Sequence, residues 1–216
     1  MIHLQNVHKS YRKDGAVVPV LSVAELRIEA GERVALMGKS GSGKTTLLNL
    51  MSGLVRADSG KVGVDGQDLA AMSEAACDRF RAQAVGYMFQ SFHLLDGFSA
   101  LENVELGASF AGRKSPMKGA SFLLEALGLG DRQKHKPSEL SIGQQARVAL
   151  ARAMHGNPKL VLADEPTGAL DGETAWVILE LLLSRAKEQG VTLVVATHDP
   201  EIADAFDRVI RVEDLK

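Results

Sequence analysis

The sequence contains very little cysteine and no large excess of either charge. Cys77 is the single cysteine among 216 residues, which excludes an internal disulfide framework and a zinc site built on cysteines. One free thiol is typical of a protein from a reducing cytosol. The formal net charge is only −2, so the chain has no overall field that would attract DNA or RNA. We therefore expect no nucleic-acid partner.

Long apolar runs are missing as well. No segment approaches the roughly 18–20 apolar residues that a membrane-spanning helix needs. The first residues, MIHLQNVHKSYRK, contain no basic segment followed by an apolar one, so we expect no signal peptide. The expected location is the cytoplasm, and work at a membrane would then depend on a membrane-embedded partner.

The rest of the composition is ordinary for a globular protein, with 45% hydrophobic and 24% charged residues. The length suits one α/β domain or a core with an inserted subdomain. Loose alternation over the first 30 residues predicts antiparallel strands, and residues 60–69 predict a hairpin that turns at Asp65-Gly66. Helical periodicity dominates from about residue 70 to residue 155.

Three uninterrupted apolar runs predict strands of a parallel sheet that is covered on both faces. They are RVALMG at 33–38, KLVLADE at 159–165 and VTLVVATHD at 191–199. A helix is expected at 44–54, directly after the first run, and a long amphipathic helix follows the second. The segment DRVIRVEDL at 207–215 is expected to form a final strand.

The segment GKSGSGKT at 38–45 matches the phosphate-binding pattern G-x-x-x-x-G-K-[ST] between a predicted strand and a predicted helix. Its glycines let the backbone approach a phosphate chain and turn several N–H groups inward. Lys44 supplies a charge for the β- and γ-phosphates, and Thr45 supplies a hydroxyl for Mg²⁺. A glycine-rich turn without a ligand is the alternative, and the strand–loop–helix context favours the phosphate site.

Polar residues end the next two apolar runs, at the strand ends where doubly wound sheets bind ligands. Asp164 is placed to hold Mg²⁺ through water, and Glu165 to orient or deprotonate a water that attacks the γ-phosphate. An acidic strand end that faces solvent is the alternative. His198 ends the third run, where we expect a γ-phosphate contact, although a lone histidine is more often a structural hydrogen-bonding group.

Five segments, GKSGSGKT, LSIGQQ, LADEP, GALD and ATHD, occur in the order and spacing of the ATP-binding subunits of ABC transporters. The resemblance covers essentially the whole chain. FQSFHLLDGFSALENVEL, KPSELS and DEPTGALD also resemble one branch, the lipoprotein-releasing and macrolide- or haem-exporting systems.

The resemblance implies an α/β fold with a P-loop NTPase (RecA-like) core, an N-terminal antiparallel β lobe and an inserted α-helical subdomain. We expect a single ABC-type ATP-binding domain over residues 1–216. Its core should comprise about 1–88 and 156–216, and its helical subdomain about 89–155.

Residue roles follow from the same resemblance. Tyr11 resembles the aromatic residue that stacks on adenine, with a plain strand tyrosine as the alternative. Gln90 resembles the glutamine that completes the Mg²⁺ shell and senses the membrane partner, and Asp171 lies in a loop that links two subunits. Glu165, His198 and Lys44 would be catalytic, and Thr45, Gln90 and Asp164 would hold Mg²⁺. The nucleotide-binding residues would be Tyr11, Gly38, Lys39, Ser40, Gly41, Ser42, Gly43, Lys44, Thr45, Thr46, Gln90, Ser141, Gly143, Gln144 and Asp164.

The signature LSIGQQ departs from the family pattern, since Ile142 replaces the first glycine of L-S-G-G-Q. A β-branched residue needs an ordinary negative φ, so this position cannot require a left-handed conformation. Ser141 caps a predicted helix whose N-terminus can bind an anion. The resemblance implies that Ser141 faces the γ-phosphate held by a second copy, in a head-to-tail dimer with two ATP molecules between the subunits.

The favoured function is an ATP-hydrolysing motor that drives an integral membrane permease for export or extraction of a substrate. It would act peripherally on the inner face of the cell membrane. One alternative is an ABC-type ATPase that signals through a membrane protein without transport, as in division-associated relatives. Another is a soluble ABC-type ATPase that acts on DNA or ribosomes, which the near-neutral charge and the single module disfavour.

Overall fold

A computed structural model describes residues 1–109 and 117–215 of the chain. The sequence pattern that predicts a helix up to Phe110 therefore ends outside the described residues. Two β-sheets and a set of packed helices make up the described part. Among its helices none is long and apolar enough to cross a membrane.

The first sheet is antiparallel and contains the predicted N-terminal strands. Its strands are β1 (Ile2–Lys13), β2 (Ala16–Ile28), β4 (Ser59–Val64) and β5 (Gln67–Asp68). They lie in the order β2-β1-β4-β5. The turn between β4 and β5 is the predicted hairpin turn, and both Asp65 (φ 50°) and Gly66 (φ 76°) adopt left-handed conformations there.

The second sheet is parallel. Its strands are β3 (Arg33–Met37), β6 (Val85–Met88), β7 (Leu160–Asp164), β8 (Thr192–Thr197) and β9 (Arg208–Arg211). They lie in the order β6-β7-β8-β3-β9. All residues of β7 and β8 are buried, as expected of strands covered on both faces. β6 lies inside the stretch that was expected to be helical, so the sequence interpretation was wrong for these four residues.

Seven helices are present in the described residues: α1 (Lys44–Met51), α2 (Glu74–Ala84), α3 (Ala100–Ser109), α4 (Met117–Ala126), α5 (Ile142–Met154), α6 (Gly172–Gln189) and α7 (Pro200–Ala203). The sequence marks several of their ends. Ser73, Ser141 and Asp171 cap α2, α5 and α6 by accepting a hydrogen bond from a backbone N–H of the first turn. Gly190, at φ 64°, ends α6.

The parallel sheet separates two apolar clusters. Val34 and Leu36 of β3 point to one side, where α1 lies between the two sheets. Ala35 points to the other side, where α3, α4, α5 and α6 pack. Because α1 is buried between two sheets, the loop that precedes it is fixed at the carboxyl ends of the parallel strands. The division into a core and a helical subdomain at about residues 89–155 remains a prediction.

Candidate active site

A cavity of about 1030 Å³ opens at the carboxyl ends of β3, β7 and β8. This is the edge of a parallel sheet where ligands are expected. The cavity is lined by Val20, Met37, Gly38, Lys39, Ser40, Gly41, Ser42, Gly43, Lys44, Thr45, Thr46, Gln90, Asp164, Glu165, His198, Arg211, Glu213 and Asp214.

The glycine loop presents the N-terminus of α1 to this cavity. Gly43 is the N-cap of α1 with φ 100°, and no side chain caps the helix. The φ value favours glycine, and a Cβ on Gly43 would also lie only 3.2 Å from the carbonyl oxygen of Val20, so the space for a side chain is tight. The first N–H groups of α1 thus remain available to an anion, and the helix dipole adds positive charge.

Lys44 is buried and folds back over its own loop. Its Nζ donates to the carbonyl oxygen of Gly38 at 2.7 Å and lies 3.5 Å from Oε1 of Glu165. The nearby Ser42 hydroxyl oxygen is buried, and no described group hydrogen-bonds to it. A buried polar atom without a partner is costly, and a phosphate oxygen in the loop would provide one.

Asp164 ends β7 with its carboxyl buried. Burial raises the pKa of this carboxyl above its ordinary value, and the charge of Glu165 raises it further. The Thr45 hydroxyl and the Lys44 ammonium act in the opposite direction. The ionised form is therefore less favourable here than in water, and a further positive charge would stabilise it.

Glu165 holds the position between Lys44 and His198. Its Oε2 lies 2.8 Å from Nδ1 of His198, while its Oε1 faces Lys44. The Glu165 backbone has φ 47°, an uncommon conformation for a residue with a side chain, and its N–H donates to the carbonyl oxygen of Ala196 in β8. The strand end thus turns sharply and directs the carboxylate into the cavity with both oxygens engaged.

Gln90 reaches the cavity from the loop after β6. A Cβ on Gly168 would lie 3.7 Å from Gln90 Nε2, so the amide lies close to the loop that follows Glu165. The structure thus places Gln90 in one cavity with Thr45, Asp164 and Glu165.

Four of the predicted nucleotide-binding residues do not line the cavity: Tyr11, Ser141, Gly143 and Gln144. Tyr11 lies on β1 opposite Val18, is 40% exposed, and has Nζ of Lys9 5.3 Å from its ring centroid.

The other three residues form the start of α5. Ser141 accepts a hydrogen bond from the N–H of Gln144, and the Gln144 side chain accepts one from the N–H of Ser141. A Cβ on Gly143 would lie 2.8 Å from Cγ2 of Thr174, so glycine permits close contact with the first turn of α6. Ile142 is helical and 50% exposed, in agreement with the inference that this position does not need a left-handed conformation.

Five further residues line the cavity without belonging to the predicted site residues: Val20, Met37, Arg211, Glu213 and Asp214. Glu213 accepts a hydrogen bond from the N–H of Lys39 at 3.2 Å. The backbone N–H of Glu213 itself, followed by that of Lys39, lowers the pKa of the Glu213 carboxyl. Arg211, Glu213 and Asp214 lie beyond the motifs, at the end of β9 and in the 3₁₀ turn that follows it. They lie inside the segment 207–215 that was expected to be a strand throughout, whereas the strand ends at Arg211, and no motif marks them.

Three features define a P-loop nucleoside triphosphatase: a helix that begins at a glycine loop, a buried lysine in that loop, and two acids at the end of β7 in the same parallel sheet. The chain belongs to the ABC transporter family, whose model matches residues 21–168. This membership confirms the resemblance of the sequence motifs, and the chain is an ATP-binding, ATP-hydrolysing subunit of that family.

Two curated relatives illustrate the match. The chain is 44% identical over 216 residues to the lipoprotein-releasing system ATP-binding protein LolD 2 of Caulobacter vibrioides, covering 99% of this chain and 95% of that protein. It is 46% identical over 218 residues to the macrolide export ATP-binding/permease protein MacB of Rhodopirellula baltica, covering 99% of this chain. The chain spans only 32% of the length of that second relative.

Solved structures confirm the fold class. A dimeric post-hydrolysis state of the ATP-binding cassette MJ0796, bound to ADP and Pi, superimposes with a TM-score of 0.90 at 39% identity. The match covers 98% of this chain and 94% of that one. A further structure is described as a dimeric bacterial ABC transporter cassette and gives a TM-score of 0.90 at 40% identity.

Proposed function

We propose that the chain is the ATP-driven motor of a membrane export or extraction complex, in which two copies close over two ATP molecules and move a permease. The observation that carries the proposal is Glu165, with one oxygen 2.8 Å from His198 and the other 3.5 Å from Lys44. This carboxylate is held beside a loop built for a phosphate chain, where a general base for ATP hydrolysis has to be.

The glycine loop and Lys44 bind the phosphates in this proposal. Lys44 exchanges its contacts with the Gly38 carbonyl and Glu165 for the β- and γ-phosphate oxygens. Ser42 then gains a partner for its buried hydroxyl. Tyr11 stacks on the adenine, which adds affinity with little selectivity between bases.

Thr45, Asp164 and Gln90 suit a magnesium ion. No group of three or more His, Cys, Asp or Glu side chains in the described residues could enclose a metal. Mg²⁺ needs no such enclosure, because it is usually bound by one or two carboxylates together with substrate phosphates and water. The buried Asp164 carboxyl also gains the positive charge that stabilises its ionised form. When bound, Mg²⁺ neutralises the charge that develops on the phosphates.

Glu165 acts as the base in the hydrolytic step. It accepts a proton from the water that attacks the γ-phosphate, and release of Lys44 to the phosphates frees its Oε1 for that water. His198 contacts Oε2 and keeps the carboxylate in place. In this proposal His198 also contacts the γ-phosphate.

A second copy completes each site. The α5 N-terminus lies outside the chain's own cavity, so Ser141, Gly143 and Gln144 are available to the nucleotide of the partner. An isologous two-fold pair would give two equivalent composite sites. The dimeric state described for MJ0796 supports this arrangement.

The membrane partner follows from the relatives. One is described as an ATP-binding protein of a lipoprotein-releasing system, and the other joins ATP-binding and permease functions in one name. We infer a position on the inner face of the cell membrane, bound peripherally to an integral membrane permease. Opening and closing of the ATP dimer would be the mechanical signal, and a shift from mostly open to mostly closed needs about 5.5 kcal/mol of differential binding.

The test is Glu165→Gln, which keeps the shape of the side chain and removes its basicity. We expect ATP binding to persist, turnover to fall by about 10²-fold or more, and closed dimers to accumulate with ATP. Turnover is measured as phosphate release, and dimers by size-exclusion chromatography. Glu180→Gln, an exposed position on α6, is the matched control and should behave as wild type. Rapid hydrolysis by Glu165→Gln would refute the assignment of the base.

A further inference from the structure

The backbone directly after Gln90 adopts an uncommon conformation. Phe92 and His93 are consecutive non-glycine residues with φ 59° and 47°. The segment is a tight turn, in which the N–H of Phe92 donates to the carbonyl oxygen of Phe89 and that of His93 to the carbonyl oxygen of Ser91. Two adjacent left-handed residues with large side chains cost free energy, so surrounding contacts must hold them.

Arg152, near the end of α5, supplies that contact. Its Nη1 donates to the carbonyl oxygen of His93 at 2.6 Å and its Nη2 to the carbonyl oxygen of Phe92 at 2.5 Å. Both carbonyls therefore face one guanidinium, whose planar fork of donors suits two neighbouring acceptors. The guanidinium is largely removed from water, and desolvation lowers the pKa of Arg152 from its usual value.

The end of α5 that carries Arg152 is fixed between β6 and α3. A Cβ on Gly86 of β6 would lie 1.9 Å from the carbonyl oxygen of Ala153, so only glycine permits this backbone contact. A Cβ on Gly107 of α3 would lie 3.1 Å from the carbonyl oxygen of Arg152 itself. Close approach on two sides leaves the helix end little freedom, and the guanidinium is therefore presented from a rigid support.

Aromatic rings connect the same turn to α1. The Phe89 ring stacks on Tyr87 at 4.2 Å and on His93 at 4.8 Å, between ring centroids. The Tyr87 hydroxyl lies 3.0 Å from the side-chain oxygen of Asn49 and donates to it. Asn49 belongs to α1, the helix that starts at the glycine loop. The turn after Gln90 is thus held from α5 through Arg152 and from α1 through the stacked rings.

We propose that Arg152 is a positioning residue for Gln90: its two hydrogen bonds to the Phe92 and His93 carbonyls hold the left-handed turn that directs Gln90 into the cavity. The proposal rests on the proposed function, since it deepens the role of Gln90 at the Mg²⁺–ATP site. Arg152 itself contacts neither nucleotide nor metal in this scheme.

The central comparison uses two arginines of the same helix. Arg152→Lys keeps the charge and loses the planar fork, so that the ammonium cannot reproduce both hydrogen bonds in their present geometry. Arg147→Lys is the matched control, because Arg147 Nη1 donates to the carbonyl oxygen of Leu127, away from the turn. For Arg152→Lys we expect turnover to fall roughly tenfold, the equivalent of about 1.4 kcal/mol, and a higher Mg²⁺ concentration for half-maximal activity. ATP binding without Mg²⁺ should be unchanged, because Lys44 and the glycine loop are untouched.

A second readout does not depend on activity. The backbone amides of residues 91–93 should exchange hydrogen faster in Arg152→Lys than in Arg147→Lys, since the turn loses a contact. Within the Arg152→Lys background, His93→Gly should restore turnover and the wild-type Mg²⁺ concentration for half-maximal activity, because glycine adopts φ > 0 without steric cost. His93→Ala should not restore them, although it removes the same ring.

These outcomes separate the inference from the proposed function. If wild type and Arg147→Lys hydrolyse ATP and Arg152→Lys matches them in turnover, Mg²⁺ dependence and exchange, the positioning role is wrong while the motor remains. Absence of ATP hydrolysis by wild type would instead refute the proposed function. If Arg152→Lys does not fold, the double variants that combine Arg152→Lys with His93→Gly or with His93→Ala are compared by their yield of folded protein. Equal yields would contradict the inference.

Discussion

The Asp164 carboxyl shows how this fold keeps a charged group in an unfavourable state until a ligand is bound. Its pKa is raised above the ordinary value, mainly by burial, with Glu165 adding to the effect. Folding therefore favours the protonated form, and above its folded pKa the ionised carboxylate destabilises the chain. The buried position of Asp164, which we propose for Mg²⁺ binding, thus lowers the free energy of unfolding of the nucleotide-free protein.

Replacing Asp164 with Asn should raise the melting temperature of the nucleotide-free protein at pH 7, by about 2–4 °C for each kcal/mol recovered. The gain should shrink as pH falls through the raised folded pKa, because the wild-type carboxyl is then protonated in the native state. Below the ordinary value of 3.8 it should vanish. Thermal unfolding of both proteins across this range measures the effect, and a gain that does not depend on pH would contradict it.

Glu165 stores strain at the same strand end. Its φ of 47° is one of the few left-handed conformations adopted by side-chain-bearing residues in the described chain. Such conformations cost about 1–3 kcal/mol and persist where the surroundings enforce them. Here the β7–β8 hydrogen bond from the Glu165 N–H to the Ala196 carbonyl does so. The carboxylate is thereby held in place before any substrate binds.

At the scale of elements, the start of α5 serves the helix and, in our proposal, the nucleotide of the partner subunit. Ser141 and Gln144 satisfy each other's backbone N–H groups, which is a complete capping box. A serine at this position would therefore be explained by helix stability alone. Substitution by two different residues can separate the two roles.

Ser141→Ala removes the cap and should cost about 1 kcal/mol, seen as a lower melting temperature. Ser141→Asp keeps a good cap, so its melting temperature should stay close to that of wild type. The added negative charge would face the γ-phosphate of the partner subunit, and turnover should drop by at least about tenfold. Normal turnover by a stable Ser141→Asp protein would show that α5 meets no phosphate.

Strong local patterns made several elements predictable. β3, β7, β8 and α1 were predicted to within a few residues, because long apolar runs and the glycine loop specify them. β6 was missed, since four residues with a glycine at their centre carry no strand period of their own. It becomes a strand because it pairs with β7, and the residues of β6 themselves do not indicate this pairing with a distant part of the chain.

The residues of the candidate site also include some that the sequence predicts and some that it does not. Lys44, Asp164, Glu165 and His198 were predictable because motif and strand end place each of them, and the structure brings them into one cavity. Glu213 and Arg152 were not predictable. They act on backbone groups far away in sequence, Lys39 in one case and residues 92 and 93 in the other. A side chain that binds backbone groups far away in the sequence produces no regular residue spacing that could be recognised in the sequence.

At the scale of the whole molecule, each cavity lacks the α5 N-terminus that our mechanism requires. Turnover per chain should therefore rise with protein concentration over a roughly hundredfold range until pairs predominate, by mass action. Phosphate release and sedimentation, measured on the same samples, should follow one curve. Constant turnover per chain in samples that sediment as monomers would refute the shared site.

The separation of Ser141 from its own cavity also has a genetic consequence. If the α5 N-terminus of each subunit completes the ATP site of its partner, one defective subunit inactivates an ATP site whose other residues belong to the intact subunit. An allele whose product folds and dimerises, but whose LSIGQQ segment is defective, would then be dominant in a cell that also expresses the intact gene. An allele whose product does not fold would be recessive, because that product cannot dimerise with the intact subunit.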